Sequence, residues 1–263
     1  MSALRALFAG PGAFRALAPG RRGAVELGFD RCVYARLESD WLLVAEPSLP
    51  FGPLSVAVAG FDRLDLGPGL PVQALPGRLV LGDQVVSLER MRERGGACRD
   101  SIVLGTPPAV TLPNPPDAVQ GGIAALAAGR LLAAVRSLAG VGEGLTPAGD
   151  DVLAGYAAAR AAIGCSVTLS TVAAGRSSPL GLAYLRCAER GELPDVAARV
   201  LAAICRGSPS EVAATLPALR TWGATSGVAL GWGLVAGVWR GHGQPEFPHT
   251  RRRPAGERRF SRL

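Results

Sequence analysis

The chain has no lysine and almost no histidine. All 28 basic residues of the 263-residue sequence are arginines, and the two histidines, His242 and His249, lie near the C-terminal end. A Ser-His-Asp triad or a histidine-ligated metal therefore has no histidine to use in residues 1–241. Proton transfer in that part of the chain would fall to Asp, Glu, Tyr or Cys side chains.

Paired cysteines and long apolar runs are also missing. The chain has five cysteines, an odd number, and none forms a CxxC pair. This argues against a disulfide framework or a zinc site and favours a reducing compartment. The most apolar run, residues 228–239, is too short for a membrane span, and the first residues lack a clean signal-peptide core. We expect a cytoplasmic protein that does not enter a membrane.

The positive charge is concentrated at one end. The chain carries a net charge of +7, and residues 241–263 hold six arginines against two glutamates. An arginine-rich, proline-containing tail could bind nucleic acid, but it is more typical of a disordered terminus. Because the charge of residues 1–240 is close to balanced, we consider nucleic acid an unlikely partner and residues 241–263 a basic disordered tail.

The first half of the sequence is typical of β structure. Short alternating apolar segments recur over residues 23–112, about ten residues apart, with Gly and Pro between them. Gly82-Asp83 between two apolar runs predicts a hairpin, and residues 102–104 predict a last strand. We expect an antiparallel β barrel or sandwich over 23–112. Residues 1–22 are expected to be a separate N-terminal segment with a short helix.

Five prolines between positions 106 and 117 mark the boundary between two halves. Beyond them, over residues 113–240, apolar residues recur at helical spacing, with glycines at helix ends and prolines at helix starts. The predicted fold class is therefore α+β: a β domain over 23–112 followed by an α-helical domain over 113–240.

The stretch 140–151, GVGEGLTPAGDD, is the strongest candidate for a functional site. Thr146 and Pro147 predict a helix start, with Thr146 as N-cap. Asp150 and Asp151 then lie in the first turn on different faces, where the positive end of the helix dipole favours their charge.

The glycines of this stretch leave two interpretations open. Gly142 and Gly144 can adopt positive φ and let backbone N–H groups line a site for a phosphate or carboxylate. In that case Asp150 and Asp151 would hold a magnesium ion or a substrate amide. Alternatively, the two carboxylates accept hydrogen bonds from loop amides in a structural bend.

Two other helix starts carry hydroxyl groups. One is the turn 223–227 with Thr225, Ser226 and Gly227, and the other is 175–179, where Arg176 could pair with an anion. Each is a weak signal alone. If the helical domain brings these starts and 146–151 to one end, their dipoles converge on a single anion site.

The segment GLTPAGDD at 144–151 resembles the GLTPxGDD signature of a bacterial family, the AllH-like proteins. One branch is implicated as a subunit of oxamate carbamoyltransferase in purine (allantoin) degradation. The similarity extends to residues 51–53, 185–193 and 224–227, so it spreads over most of 23–240. Ala148 stands where the family usually has serine, which removes one hydroxyl ligand.

The resemblance implies a partner-dependent role in carbamoyl transfer, with carbamoyl phosphate as the anion and other subunits as partners. Asp150 and Asp151 are then the candidate catalytic residues and candidate magnesium ligands. The candidate substrate-binding residues are Gly142, Gly144, Thr146, Gly149, Arg176, Thr225, Ser226 and Gly227. The alternative hypothesis is a non-catalytic subunit that assembles a metabolic enzyme complex and uses the motif as a structural bend.

Overall fold

A computed structural model describes residues 4–95, 108, 110–223 and 225–239. The predicted strand at 102–104 and the basic tail at 241–263 lie outside the described residues. Within them, a β barrel precedes a set of packed helices, which confirms the predicted α+β class.

Eight strands close the barrel in the order β5-β4-β3-β2-β6-β7-β8-β1, with β1 pairing back onto β5. Alternate residues of each strand fill its interior, as in small closed barrels. The short β9 pairs with the C-terminal end of β1, at Phe8 and Ala9. The strands are β1 Arg5–Ala9, β2 Arg22–Phe29, β3 Cys32–Leu37, β4 Asp40–Ala45, β5 Ser55–Ala59, β6 Pro71–Leu75, β7 Arg78–Leu81, β8 Gln84–Ser87 and β9 Arg92–Glu93.

The pairing in this barrel is mixed, whereas the sequence predicted antiparallel strands throughout. β4 and β5 run parallel, because the proline-rich link 46–54 returns the chain to the level of Leu43 instead of making a tight turn. β1 and β8 are also parallel. The predicted hairpin at Gly82-Asp83 is confirmed as the two-residue turn between β7 and β8.

The N-terminal segment contributes more than the short helix expected of it. The helix is there, as α1 over Pro11–Ala16, but Arg5–Ala9 before it forms β1 and closes the barrel. Strand formation depends on neighbouring strands far along the chain, so the local Ala/Leu pattern did not reveal it.

The helical part begins after the proline-rich boundary. Its helices are α2 Asp117–Ala127, α3 Leu131–Leu138, α4 Ala148–Ala162, α5 Ser170–Ala173, α6 Pro179–Ala188, α7 Asp195–Cys205, α8 Pro209–Thr215 and α9 Ser226–Trp239, with a 3-10 turn at Leu216–Thr221. Among the described residues, no helix is long and apolar enough to cross a membrane.

Helices α4 and α9 form the centre of this part and touch backbone to backbone. Gly155 of α4 lies against the carbonyl of Leu230, and Gly233 of α9 lies against the carbonyl of Val152. A Cβ at either glycine would overlap the facing oxygen. Gly233 lies against Val152 and, one turn further along both helices, Gly237 lies against Tyr156. The contacts thus advance together, so α4 and α9 run parallel and both begin at one end of the bundle.

We predict that Gly155→Ala lowers the free energy of unfolding by about 2–3 kcal/mol, because the added methyl group forces the two backbones apart. Gly121→Ala is the matched control. Gly121 is a helical glycine of α2 with open space around it, and alanine there should add about 0.5–1 kcal/mol. Urea denaturation measures both, and equal stability of the two variants would refute the close helix contact.

Candidate functional site

Helix α4 begins one residue later than the sequence predicted. Pro147, with φ −53° and ψ 143°, is the N-cap, and Ala148 is the first helical residue. A residue before proline is disfavoured in helical conformation, so Thr146 stays outside the helix. Its hydroxyl lies 3.1 Å from the hydroxyl of Ser226 at the start of α9. Thr146 therefore links two helix starts instead of capping one.

Asp150 is buried and its carboxylate is fully engaged. Its Oδ1 accepts hydrogen bonds from the Gly140 amide at 2.8 Å and the Ser177 hydroxyl at 2.7 Å. Its Oδ2 accepts one from the Ser178 amide at 3.1 Å. Gly181 passes so close to Oδ2 that no side chain fits there. Asp150 thus ties the glycine loop to the start of α6.

The glycine loop has the backbone that the sequence predicted. Gly140, Gly142 and Gly144 all have positive φ, and the loop from Gly142 onward is exposed. Gly149, proposed above as a substrate contact, donates its amide to the carbonyl of Val141 at 2.8 Å. That amide is therefore already used within the fold.

Three helix starts meet around these residues. The Ser178 hydroxyl caps α6 and donates to the carbonyl of Leu145 at 2.7 Å, while Asp150 accepts from the Ser178 amide. Thr146 and Ser226 join the starts of α4 and α9. The sequence analysis named such a meeting of helix starts as the condition for a single anion site. In the structure the positive ends of three helix dipoles lie together, which is an arrangement that favours negative charge.

Asp151 points to a different side of α4, and its hydrogen bonding differs from that of Asp150. It is 4% exposed, and its Oδ2 finds no hydrogen-bond partner in the described part of the chain. Burial raises the pKa of Asp151 well above its usual value, Asp150 adds to the rise, and the hydroxyls of Ser226 and Thr146 oppose it. The raised pKa favours the protonated form of this carboxyl group, which can donate a hydrogen bond.

Asp151 lines a cavity between α4, α6 and the segment that follows α6. The cavity is open to one side and has room for roughly one water molecule. The other lining residues are Ala154, Tyr184, Ala188, Glu192, Leu193, Pro194, Trp222 and Leu230.

A second buried polar atom, the hydroxyl of Tyr184, shares this cavity. It too has no hydrogen-bond partner among the residues the structure describes. Burial raises the pKa of Tyr184 well above its usual value, so the phenol stays neutral. Its ring meets that of Trp222 edge-on, with ring centroids 5.9 Å apart.

The barrel completes the surroundings of the cavity. Arg15 of α1 donates two hydrogen bonds to the carboxylate of Glu192, at 2.6 and 2.5 Å. Trp222 packs over Gly52, which must be glycine because a Cβ would lie 2.5 Å from the indole ring. The cavity is therefore shaped by both halves of the chain.

Sequence reasoning did not identify Tyr184 or Trp222 as candidate site residues. Both are apolar in pattern, and only the tertiary structure shows that they border a cavity. For Glu192 and Gly52 a signal existed, since both lie in stretches that resemble the AllH-like family.

Three of the candidate substrate-binding residues lie outside the cavity. The Arg176 side chain is exposed and donates to the carbonyl of Arg136 at 2.9 Å. Thr225 is exposed, and its carbonyl accepts from the Ala229 amide at 3.1 Å. Gly227 packs against the carbonyl of Leu219. None of these three residues lines the cavity.

The Asp pair does not fit the expected magnesium site. Both oxygens of Asp150 accept hydrogen bonds within the chain, and burial raises the pKa of Asp151, which disfavours the charged form that binds a cation. In the described ranges, no group of three or more His, Cys, Asp or Glu side chains could hold a metal ion. Magnesium prefers several oxygen ligands that include carboxylates. We therefore propose no metal-dependent step.

The sequence was compared with family models, with curated proteins and with solved structures. Residues 138–238 match the model of a family described as oxamate carbamoyltransferase subunit AllH. The match runs from the last residue of α3 into the last turn of α9 and includes Asp150, Asp151 and Tyr184. It confirms the resemblance seen in the motif. No curated protein and no solved structure matches the chain.

We predict that Asp150→Asn lowers the free energy of unfolding by about 1–3 kcal/mol. The asparagine NH₂ group cannot accept a hydrogen bond, so either the Ser178 amide or the two donors at Oδ1 lose their partner. Thermal denaturation at pH 7 measures the change, and the matched control is Asp117→Asn, an exposed first-turn aspartate of α2. Equal melting temperatures for the two variants would show that Asp150 does not tie the loop to α6.

We predict that Asp151→Asn removes a pH dependence of stability. An acid whose pKa is higher in the folded than in the unfolded protein stabilises the fold fully below the unfolded pKa, about 4. This contribution is lost as pH rises from there toward the folded pKa. The melting temperature of the wild type should therefore fall relative to that of Asp151→Asn between pH 4 and pH 8. Parallel melting curves over this range would contradict the buried neutral carboxyl.

Proposed function

We propose that this chain, which matches the AllH family over residues 138–238, is a subunit of a carbamoyltransferase complex of the oxamate type. Its ligand would be a small anionic substrate such as carbamoyl phosphate, bound where α4, α6 and α9 begin. The observation that carries the proposal is Asp151, a buried carboxyl group with a free oxygen facing a cavity beside three helix starts.

Carbamoyl transfer sets three tasks for a protein. The acceptor nitrogen attacks the carbonyl carbon of carbamoyl phosphate, a C–N bond forms, the C–O bond to phosphate breaks, and the nitrogen loses a proton. The protein must hold the phosphate, stabilise charge on the carbonyl oxygen and orient the nitrogen. The departing phosphate is itself able to accept the proton.

The helix starts suit the first task. The N-terminal ends of α4, α6 and α9 lie together, so their dipoles attract an anion without a lysine or histidine. The exposed loop with Gly142 and Gly144 lies at the same end of the bundle. Positive φ at both glycines lets loop amides turn toward a bound phosphate.

Asp151 suits the second task. A protonated carboxylic acid donates a strong hydrogen bond to an oxygen on which negative charge develops. Asp150 has a different part in this proposal, because its oxygens are already bonded to Gly140, Ser177 and Ser178. It is a positioning residue that holds two of the helix starts in place.

The alternative of a non-catalytic assembly subunit also has an observation in its favour. Asp150 is satisfied entirely within the chain, as expected for a structural bend. The loop next to it is exposed and carries Leu145, an apolar side chain that is 38% exposed. Such a loop is suited to contact a partner subunit. In that case catalysis would lie in the partner.

The test is Asp151→Asn in the assembled complex, purified through a tag on this chain. We expect carbamoyl transfer to oxamate to fall at least about 100-fold, since asparagine cannot supply the acid's strong hydrogen bond. The yield of complex should stay unchanged. Asp117→Asn should keep wild-type turnover. Wild-type turnover in Asp151→Asn would refute the catalytic role and favour the assembly subunit.

A further inference from the structure

We propose that the cavity between Asp151 and Tyr184 is a subsite for an uncharged, planar amide group, with Tyr184 as a specificity-determining residue. The inference rests on the proposed function, because it concerns which end of the ligand enters the same site. It assigns a role to Tyr184, which the motif does not contain.

Two unpartnered polar atoms face this cavity. Oδ2 of Asp151 and the hydroxyl of Tyr184 are both buried without a hydrogen-bond partner in the described ranges. A buried polar group without a partner costs about 1–3 kcal/mol, so two at one cavity point to a ligand that satisfies them. An amide offers a carbonyl acceptor and N–H donors in one plane. The acid and the phenol can each donate and accept, and so complement both ends of it.

The charges at the cavity exclude an anionic group. No Arg side chain is among the residues that line it. The nearest guanidinium that the structure places there, that of Arg15, is already bonded to Glu192. A carboxylate or phosphate inside the cavity would be buried without a counter-charge, which is strongly unfavourable. An amide carries no charge and avoids this cost.

The size of the cavity favours a small uncharged group. Trp222 and the apolar side chains of Leu193 and Leu230 are among its lining residues, and little of its space is wider than a water molecule. The NH₂ or carbonyl end of an amide is about the size of a water molecule and can enter such a space. A tetrahedral phosphate is too wide, so the charged part of the ligand must stay outside, toward the helix starts.

Two ligands that each carry an amide beside an anionic group fit this arrangement. Oxamate carries an amide next to a carboxylate, and carbamoyl phosphate carries an amide next to a phosphate. Either could place its amide between Asp151 and Tyr184 and its anionic group at the starts of α4, α6 and α9. The experiment therefore needs one comparison for each ligand.

The test measures binding to the assembled complex by calorimetry, with ligand pairs that differ only at the amide. Oxamate is compared with oxalate, and carbamoyl phosphate with acetyl phosphate. For the ligand whose amide enters the cavity, we expect the wild type to prefer the amide by at least about tenfold. Tyr184→Phe keeps the ring against Trp222 but removes the hydroxyl, and it should reduce that preference about tenfold.

Tyr156→Phe is the matched control. It removes the hydroxyl of a buried α4 tyrosine that does not line the cavity, so the preference should persist. Equal affinity for both members of both pairs, no binding of either amide, or an unchanged preference in Tyr184→Phe would overturn the inference. If Asp151→Asn still abolishes turnover, the proposed function survives such a result. If Asp151→Asn turns over normally, the proposed function itself fails.

Discussion

The close contact of α4 and α9 is the constraint on which the site depends. Their backbones meet at Gly155 and Gly233 with no side chain between them, and the helices run parallel. Parallel packing places both N-terminal ends at one end of the bundle, and this lets Thr146 reach Ser226. A side chain at either glycine would separate the helix starts as well as loosen the core.

The adjacent carboxylates divide two tasks between them. Successive residues on a helix point about 100° apart, so Asp150 faces the glycine loop while Asp151 faces the cavity. Asp150 meets three donors and becomes part of the scaffold. Asp151 is left with a free oxygen in an apolar setting. The same pair thus provides a fixed frame and a buried carboxyl group with an unpartnered oxygen, without histidine in the described part of the chain.

Much of this was predictable from local sequence. The helix starts, the positive φ of Gly142 and the different faces of the Asp pair follow from the chemistry of single turns. The barrel closed by β1 and the position of Tyr184 beside the cavity were not predictable in this way, because both depend on residues distant in the chain. Thr146 was likewise only partly predictable. The proline that follows it disfavours a helical conformation at Thr146, but its hydrogen-bond partner, Ser226, is supplied by the packing of α9.

The cavity also depends on the barrel, although the family match covers only the helical part. Gly52 leaves room for Trp222, and the Phe51 carbonyl accepts from the Asp195 amide at 3.0 Å. Arg15 neutralises Glu192 beside the cavity. Without Arg15, Glu192 would present a free negative charge to any ligand entering there. The barrel half of the chain therefore influences the cavity through charge and packing.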